Sequence, residues 1–197
     1  MRKFKTSFAV LLAALLIGLA PEALVANTGN ALSKSVTNSA NDGPSSAQLA
    51  KKVRSKLVSL PYYGVFDDLA YSIDGGRVTL HGQVVRSSTR SDAERSVARI
   101  AGVTQVVNNI KVLPLSSFDD SVRRNTYHAI ARSGGLYRYL LGANPSIHII
   151  VDRGHVTLVG VVNSKMDGQL AYMAANGVSG AFSVTNNLQV EGYTEAR

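Results

Sequence analysis

Hydrophobic residues along the chain follow two alternating periods, and the alternation is written twice. Leu49, Val53, Leu57 and Leu60 recur at helical spacing, giving one apolar face on a helix that Ser45 or Ser46 opens and Pro61 closes. Ala70 to Ile73 and Arg77 to Val84 then alternate in strand fashion around Asp74-Gly75-Gly76-Arg77, where glycine supplies the positive φ of a tight hairpin turn. Ser91 and Glu94 have the spacing of a capping box, which predicts a second helix with Ala93, Val97, Ile100 and Ala101 as its buried stripe and Gly102 as its stop. A last strand is predicted over Val103 to Leu113, with Val106, Ile110 and Val112 on one face, and Pro114 ends the unit.

The second half repeats the pattern. Val122, Thr126, Ala129 and Ile130 predict a helix after Asp119 and Asp120, whose charge suits a helix start. Ser146 to Val151 and His155 to Val162 predict a hairpin around Arg153-Gly154, Met166, Leu170, Met173 and Ala174 a buried helical stripe, and Ala181 to Val190 the closing strand. Val-Thr-Leu-His-Gly at 78–82 recurs as Val-Thr-Leu-Val-Gly at 156–160, and Val107-Asn108-Asn109-Ile110 as Thr185-Asn186-Asn187-Leu188, each separated by 78 positions. A constant register means a duplicated unit. The expected fold is α+β: two tandem αββαβ modules, at 46–114 and 117–191, each a three-stranded mixed sheet with two helices on one face. The third strand follows a helical crossover and so runs parallel to the second. Pairing across Arg153-Gly154 sets Val151 opposite Val156 and Ile149 opposite Leu158 on the helix side. His148, Ile150, Thr157 and Val159 then point to the open face, where the first copy has Ser72, Thr79, His81 and Gln83. An open face holding His148, Ile150 and Val159 invites a domain or partner interface, most simply with the sister module.

The N-terminus changes the picture. Arg2, Lys3 and Lys5 precede an apolar run from Phe8 to Ala20 that Pro21 breaks, the layout of a secretory signal peptide over 1–26, with cleavage after Ala26 or later at Ala31. Residues 27–45, rich in Asn, Ser, Thr and Gly, read as a flexible leader and 192–197 as a tail. The chain has no cysteine, which excludes disulfides, thiolate metal sites, a cysteine nucleophile and a lipid-modified cysteine anchor. A formal charge of +8, falling to about +6 after cleavage, directs an exported protein toward anionic lipid, acidic glycan or acidic protein, and export argues against nucleic acid.

The repeated unit resembles the BON domain, on the helix-strand-strand-helix-strand order, on Gly-Arg-Val-Thr-Leu-His-Gly and Gly-His-Val-Thr-Leu-Val-Gly, and on Gly-Val followed by Val-Asn-Asn-Ile near the unit's end. That resemblance implies a periplasmic or outer-membrane protein without catalysis or cofactor, linked to envelope integrity, osmotic stress and anionic phospholipid. Absence of a lipobox cysteine sets it closer to the soluble periplasmic members, with a periplasmic or secreted location. The Gly134-to-Pro145 stretch departs from the pattern, so the family's lipid-contact region is not carried over to individual residues.

The residues themselves offer no enzyme constellation. His81, His128, His148 and His155 lack metal-ligand spacing, and His148 and His155 face Val159 and Asp152 across the hairpin rather than each other. Asp67-Asp68 has no neighbouring base. Two segments are candidate lipid or partner contacts. One is the basic side of the first helix, with Lys51, Lys52, Arg54 and Lys56; the other is Leu136, Tyr137, Arg138, Tyr139, Leu140 and Leu141, bracketed by glycines. Each also has a plain structural reading, as a solvated helix face and as a segment packed on its own domain. Three functions stay open: a phospholipid-associated envelope module, a soluble periplasmic stress protein that holds other proteins through open sheet faces, and a glycan-binding module.

Overall fold

The computed structural model describes residues 45–192. The expected signal peptide, nearly all of the leader and the last five residues lie outside that range. The first module runs α1 (Ser46–Val58), β1 (Asp68–Asp74), β2 (Arg77–Val84), α2 (Ser87–Ala98), β3 (Gln105–Asn108) and β4 (Lys111–Val112). The second runs α3 (Ser117–Ala131), a 3-10 turn at Leu136–Tyr139, β5 (Ile147–Asp152), β6 (His155–Val162), α4 (Lys165–Asn176) and β7 (Ser183–Val190). β1 and β5 pair antiparallel with β2 and β6, and the closing strand of each module lies parallel to the same central strand. The fold is therefore two αββαβ modules. In the first, the third strand is interrupted at Asn109 and Ile110 into β3 and β4.

Local chemistry explains the elements. Ser45 and Gln48 form a reciprocal capping box at the start of α1, and Ser116 and Ser164 cap α3 and α4. The hairpin pairing places Ile149 opposite Leu158 and Val151 opposite Val156, and all four are fully buried with Val122, Ile130 and Ala171 in the second core. The first core joins Leu49, Val53 and Leu57 of α1 to Val78, Leu80 and Val84 of β2 and to Ala93 and Val97 of α2.

Three details differ from the sequence expectation. α2 begins at Ser87, one turn early, with no side-chain cap. Ser91 bonds back to the Ser87 carbonyl, and Glu94 accepts from the Asn108 side chain instead of a helix amide. On α4 the buried positions are Gly168, Ala171 and Ala175, whereas Met166 and Met173 are 79% and 57% exposed. Small residues let this helix lie close to β6 and β7; a methionine there would hold it off. The Asn-Asn repeat is structural. Asn108 accepts the Ile110 amide and donates to the Arg90 carbonyl, and Asn186 does the same with Leu188 and Gly168, tying each closing strand to its crossover helix.

The repeated glycine after the Val-Thr-Leu motif has one physical reason. Gly82 and Gly160 sit at φ +117° and +127°, and a Cβ there would lie 2.1 Å from the Asp68 carbonyl oxygen and 2.0 Å from that of Ser146. Both neighbours are backbone of the paired strand and cannot swing away. Gly82→Ala or Gly160→Ala is expected to lower stability by at least about 2 kcal/mol, read as a shifted urea midpoint. An unchanged midpoint would refute the close approach.

Candidate functional site: a strap between modules and a basic helix

The chain leaving α1 forms a short strap, Tyr62 to Asp67, that crosses to the second module. Asp67 is buried and shapes it, accepting from the amides of Gly64 (3.2 Å) and Val85 (2.8 Å). The Val65 carbonyl then accepts from the Ile149 amide at 2.7 Å, on the outer edge of β5. The Gly64 carbonyl lies 3.2 Å from His148 Nδ1, and the Tyr63 hydroxyl 3.4 Å from His148 Nε2, with the two rings 5.5 Å apart. Phe66 meets Tyr127 edge to face, and Lys111 pairs with Asp152 at 2.6 Å.

These contacts decide where the open-face residues sit. His148 is 8% exposed and Ile150 2% exposed, although both lie on the face that the hairpin register leaves open. Val159 lines a groove of about 440 Å³ between the modules, together with Arg54, Tyr63, Asp68, Tyr71 and His148.

Burial is the largest influence on three of the titratable groups at the joint. Burial, reinforced by Asp68 and Asp67, pushes the Tyr63 phenol up to about 12, so it stays protonated at neutral pH. Burial also raises Asp67, opposed by its two amide bonds, and raises Asp68, opposed by His148. Asp152 is held low by its hydrogen bond to Lys111. Among the described residues no three His, Asp or Glu side chains gather into a metal-binding group.

The Leu136–Leu141 segment divides. Leu136, Tyr139 and Leu140 are buried in the second core, so for these three the reading as a segment packed on its own domain is the one the structure follows. The Tyr139 hydroxyl donates to Asp167 (2.8 Å) and accepts from the Asn163 amide (3.0 Å), while Arg138 stacks over its ring and reaches Asp167. Asn163 stands 78 positions after Val85, so Tyr139 meets the amide that Asp67 meets in the first copy. Glycines at positive φ on both sides, with the 3-10 turn between, tuck the chain inward. Only Tyr137, Arg138 and Leu141 of this segment remain on the surface.

On α1, Lys51, Lys52, Arg54 and Lys56 are all exposed, and the helix carries no acidic residue. The imbalance extends through the module: ten Lys and Arg against five Asp and Glu over 46–114, but six against five over 117–191.

Sequence reasoning missed the strap and one surface cluster. Phe118 and Phe182, 45% and 70% exposed, stack at 5.6 Å with His155 edge-on to Phe182, beside the Arg153-Gly154 turn. Comparing the copies at their own register would have marked it, because Thr104 stands where the second copy has Phe182. Asp119, read as helix-start charge, also closes this turn by accepting from the Arg153 and Gly154 amides. That bond supports Arg153 at φ +52°, where the first copy uses Gly75.

Two duplicated modules joined through a tyrosine–histidine contact, each with its own core, define a tandem two-module α+β protein. The chain belongs to the BON domain family, whose model matches residues 45–114 and 119–192. The family is generally non-enzymatic and typical of the periplasm and envelope. No curated protein matches the chain at a significant level. Solved structures that match include CdsD, a structural protein of the Type III secretion system of Chlamydia trachomatis, at 12% identity and TM-score 0.28 over 71% of this chain and 90% of that one. The CdsD C-terminal domain matches at 12% identity and TM-score 0.26 over 72% and 96%.

The raised Asp68 carboxyl sets a pH test of the joint. A folded-state value above the unfolded one means that the charged form opposes folding, so this group's favourable contribution is full below the unfolded pKa and lost as pH rises through the folded one. Asp68→Asn is expected to raise the unfolding midpoint at neutral pH and to lose that advantage in acid, where Asp68 is itself neutral. A gain that persists unchanged in acid would remove burial of the charge as its cause.

Proposed function

We propose that the chain is a non-catalytic envelope protein that rests on anionic phospholipid surfaces through its first module. The observation that carries the reading is the uncompensated cationic side of α1: Lys51, Lys52, Arg54 and Lys56 are exposed, on a helix without a carboxylate, in the module that holds most of the chain's net charge. The apolar stripe of α1 is committed to its own core through Leu49, Val53 and Leu57, so the contact is electrostatic and shallow rather than inserted. No helix among the described residues is long and apolar enough to cross a membrane. The export signal expected over residues 1–26 accords with a periplasmic or secreted location. Phe118 and Phe182 add an exposed aromatic tip of the kind that partitions into a headgroup region.

The alternative, a stress protein that holds clients through its open sheet faces, has less support. Ile150 of the second module's face is 2% exposed, so a client would reach it only by displacing what covers it.

Each basic residue near an anionic surface contributes on the order of 1 kcal/mol, so Lys51→Ala, Lys52→Ala and Lys56→Ala combined should weaken co-sedimentation with phosphatidylglycerol-containing vesicles about 100-fold. Salt should have the same effect, because a Debye length of about 10 Å at 0.1 M screens a shallow contact. Binding indifferent to lipid charge, salt and these three lysines would overturn the proposal.

A further inference from the structure

Each three-strand sheet has two outer edges, and three of the four are closed or charged. β1 carries Asp68 and Asp74 at its ends. The first module's closing strand is broken between β3 and β4, and Lys111 beyond the break is paired with Asp152. The outer edge of β5 is met by Val65. Charges, interruptions and cover are the usual protections of a sheet edge.

Among the described residues, β7 itself has none of these. It is a continuous strand of eight residues, Ser183–Val190, without a charge or a proline, and among the described residues it pairs on one side only, with β6. The bond from the Glu191 amide to the Val162 carbonyl fixes which groups point away from β6. Alternation along a strand then turns the amides and carbonyls of Val184, Asn186, Leu188 and Val190 outward. Of these, the Leu188 amide is met locally, by the Asn186 side chain at 3.2 Å. Beside the edge lies a groove of about 440 Å³, lined by Lys165, Gly168 and Gln169 of α4 and by Leu188 and Val190 of β7.

We infer that β7 is a self-association edge, and that its occupant is the β7 of a second copy of this chain, paired antiparallel about Asn187. The strand is complementary to itself in that register. Val184 falls opposite the partner copy's Val190 on the helix side, where the groove between α4 and β7 receives it. Asn186 falls opposite Leu188, so the Leu188 amide exchanges a side-chain oxygen for a main-chain carbonyl. On the open face Thr185 meets Gln189 and Asn187 meets its own copy, which brings no like charges together. Charge favours this end of the molecule as well, because the second module is nearly neutral and the pairing leaves the strongly basic first modules on the outside.

In this register Asn187 faces Asn187 as a non-hydrogen-bonded antiparallel pair, about 4.5 Å between Cα atoms, which suits a disulfide. The chain contains no cysteine, so a single introduced one is a clean probe. Asn187→Cys is expected to cross-link into a covalent dimer under mild oxidation, and Asn109→Cys, its counterpart in the first module, to remain monomeric. The unmodified protein should approach twice the monomer mass by sedimentation equilibrium at high concentration. Thr185→Lys with Asn187→Lys should return it to the monomer mass with its circular dichroism retained, and with its unfolding midpoint retained at concentrations too low to populate the dimer. A protein that stays monomeric at every concentration, a dimer indifferent to the two lysines, or equal cross-linking at Asn109→Cys would each overturn the inference.

Discussion

The strap from Tyr62 to Asp67 governs what the rest of the molecule can offer. Asp67 is held by two amides of its own module, and the chain it shapes gives the Val65 carbonyl to β5 and the Gly64 carbonyl and Tyr63 hydroxyl to His148. A buried carboxylate is costly unless its oxygens are met, and here meeting them fixes the strap. The outer edge of β5 and the histidine on its open face are thereby occupied. Among the described residues, the cationic side of α1, the aromatic tip at Phe118 and Phe182, the exposed Tyr137 and Leu141, and the edge of β7 stay available.

Much of this architecture could be read from the residues because it is local or repeated. The hairpin partners, the helix-side and open-side sorting and the parallel closing strand follow from period and register, which a sequence displays directly. The failures have physical causes. Ser91 and Glu94 have capping-box spacing, but Glu94 is taken by Asn108, a partner from the closing strand. On α4, Leu170 and Ala174 of the expected stripe do pack against the core, but close helix-to-sheet packing puts the small Gly168, Ala171 and Ala175 at its centre and leaves Met166 and Met173 outside. Burial of His148 depends on a tyrosine 85 positions away, and no periodicity reports such a contact.

The distribution of charge separates the modules more sharply than their folds do. The same backbone is built twice, yet the first copy gathers ten basic residues while the second nearly balances its charges. Folding demands no such difference, since the Gly contact and the Asn clamp are shared. Four of those ten, Lys51, Lys52, Arg54 and Lys56, lie exposed on one helix that carries no carboxylate.

The repeated residues are therefore the wrong place to look for a binding site. Gly82 and Gly160 answer a backbone contact, and Asn108 and Asn186 clamp a strand to a helix. Even the single-copy Tyr139 does in the second module what Asp67 does in the first, meeting one equivalent amide. Specificity has to come from positions where the copies diverge and the side chain remains accessible. Phe182 in place of Thr104 and the lysines of α1 meet both conditions. The continuity of β7 where the first module's strand is broken does so for the main chain, although both copies carry the Asn-Asn pair. A module duplicated for its stability can thus carry two different surfaces, because the interactions that fold it occupy few of the positions that face solvent.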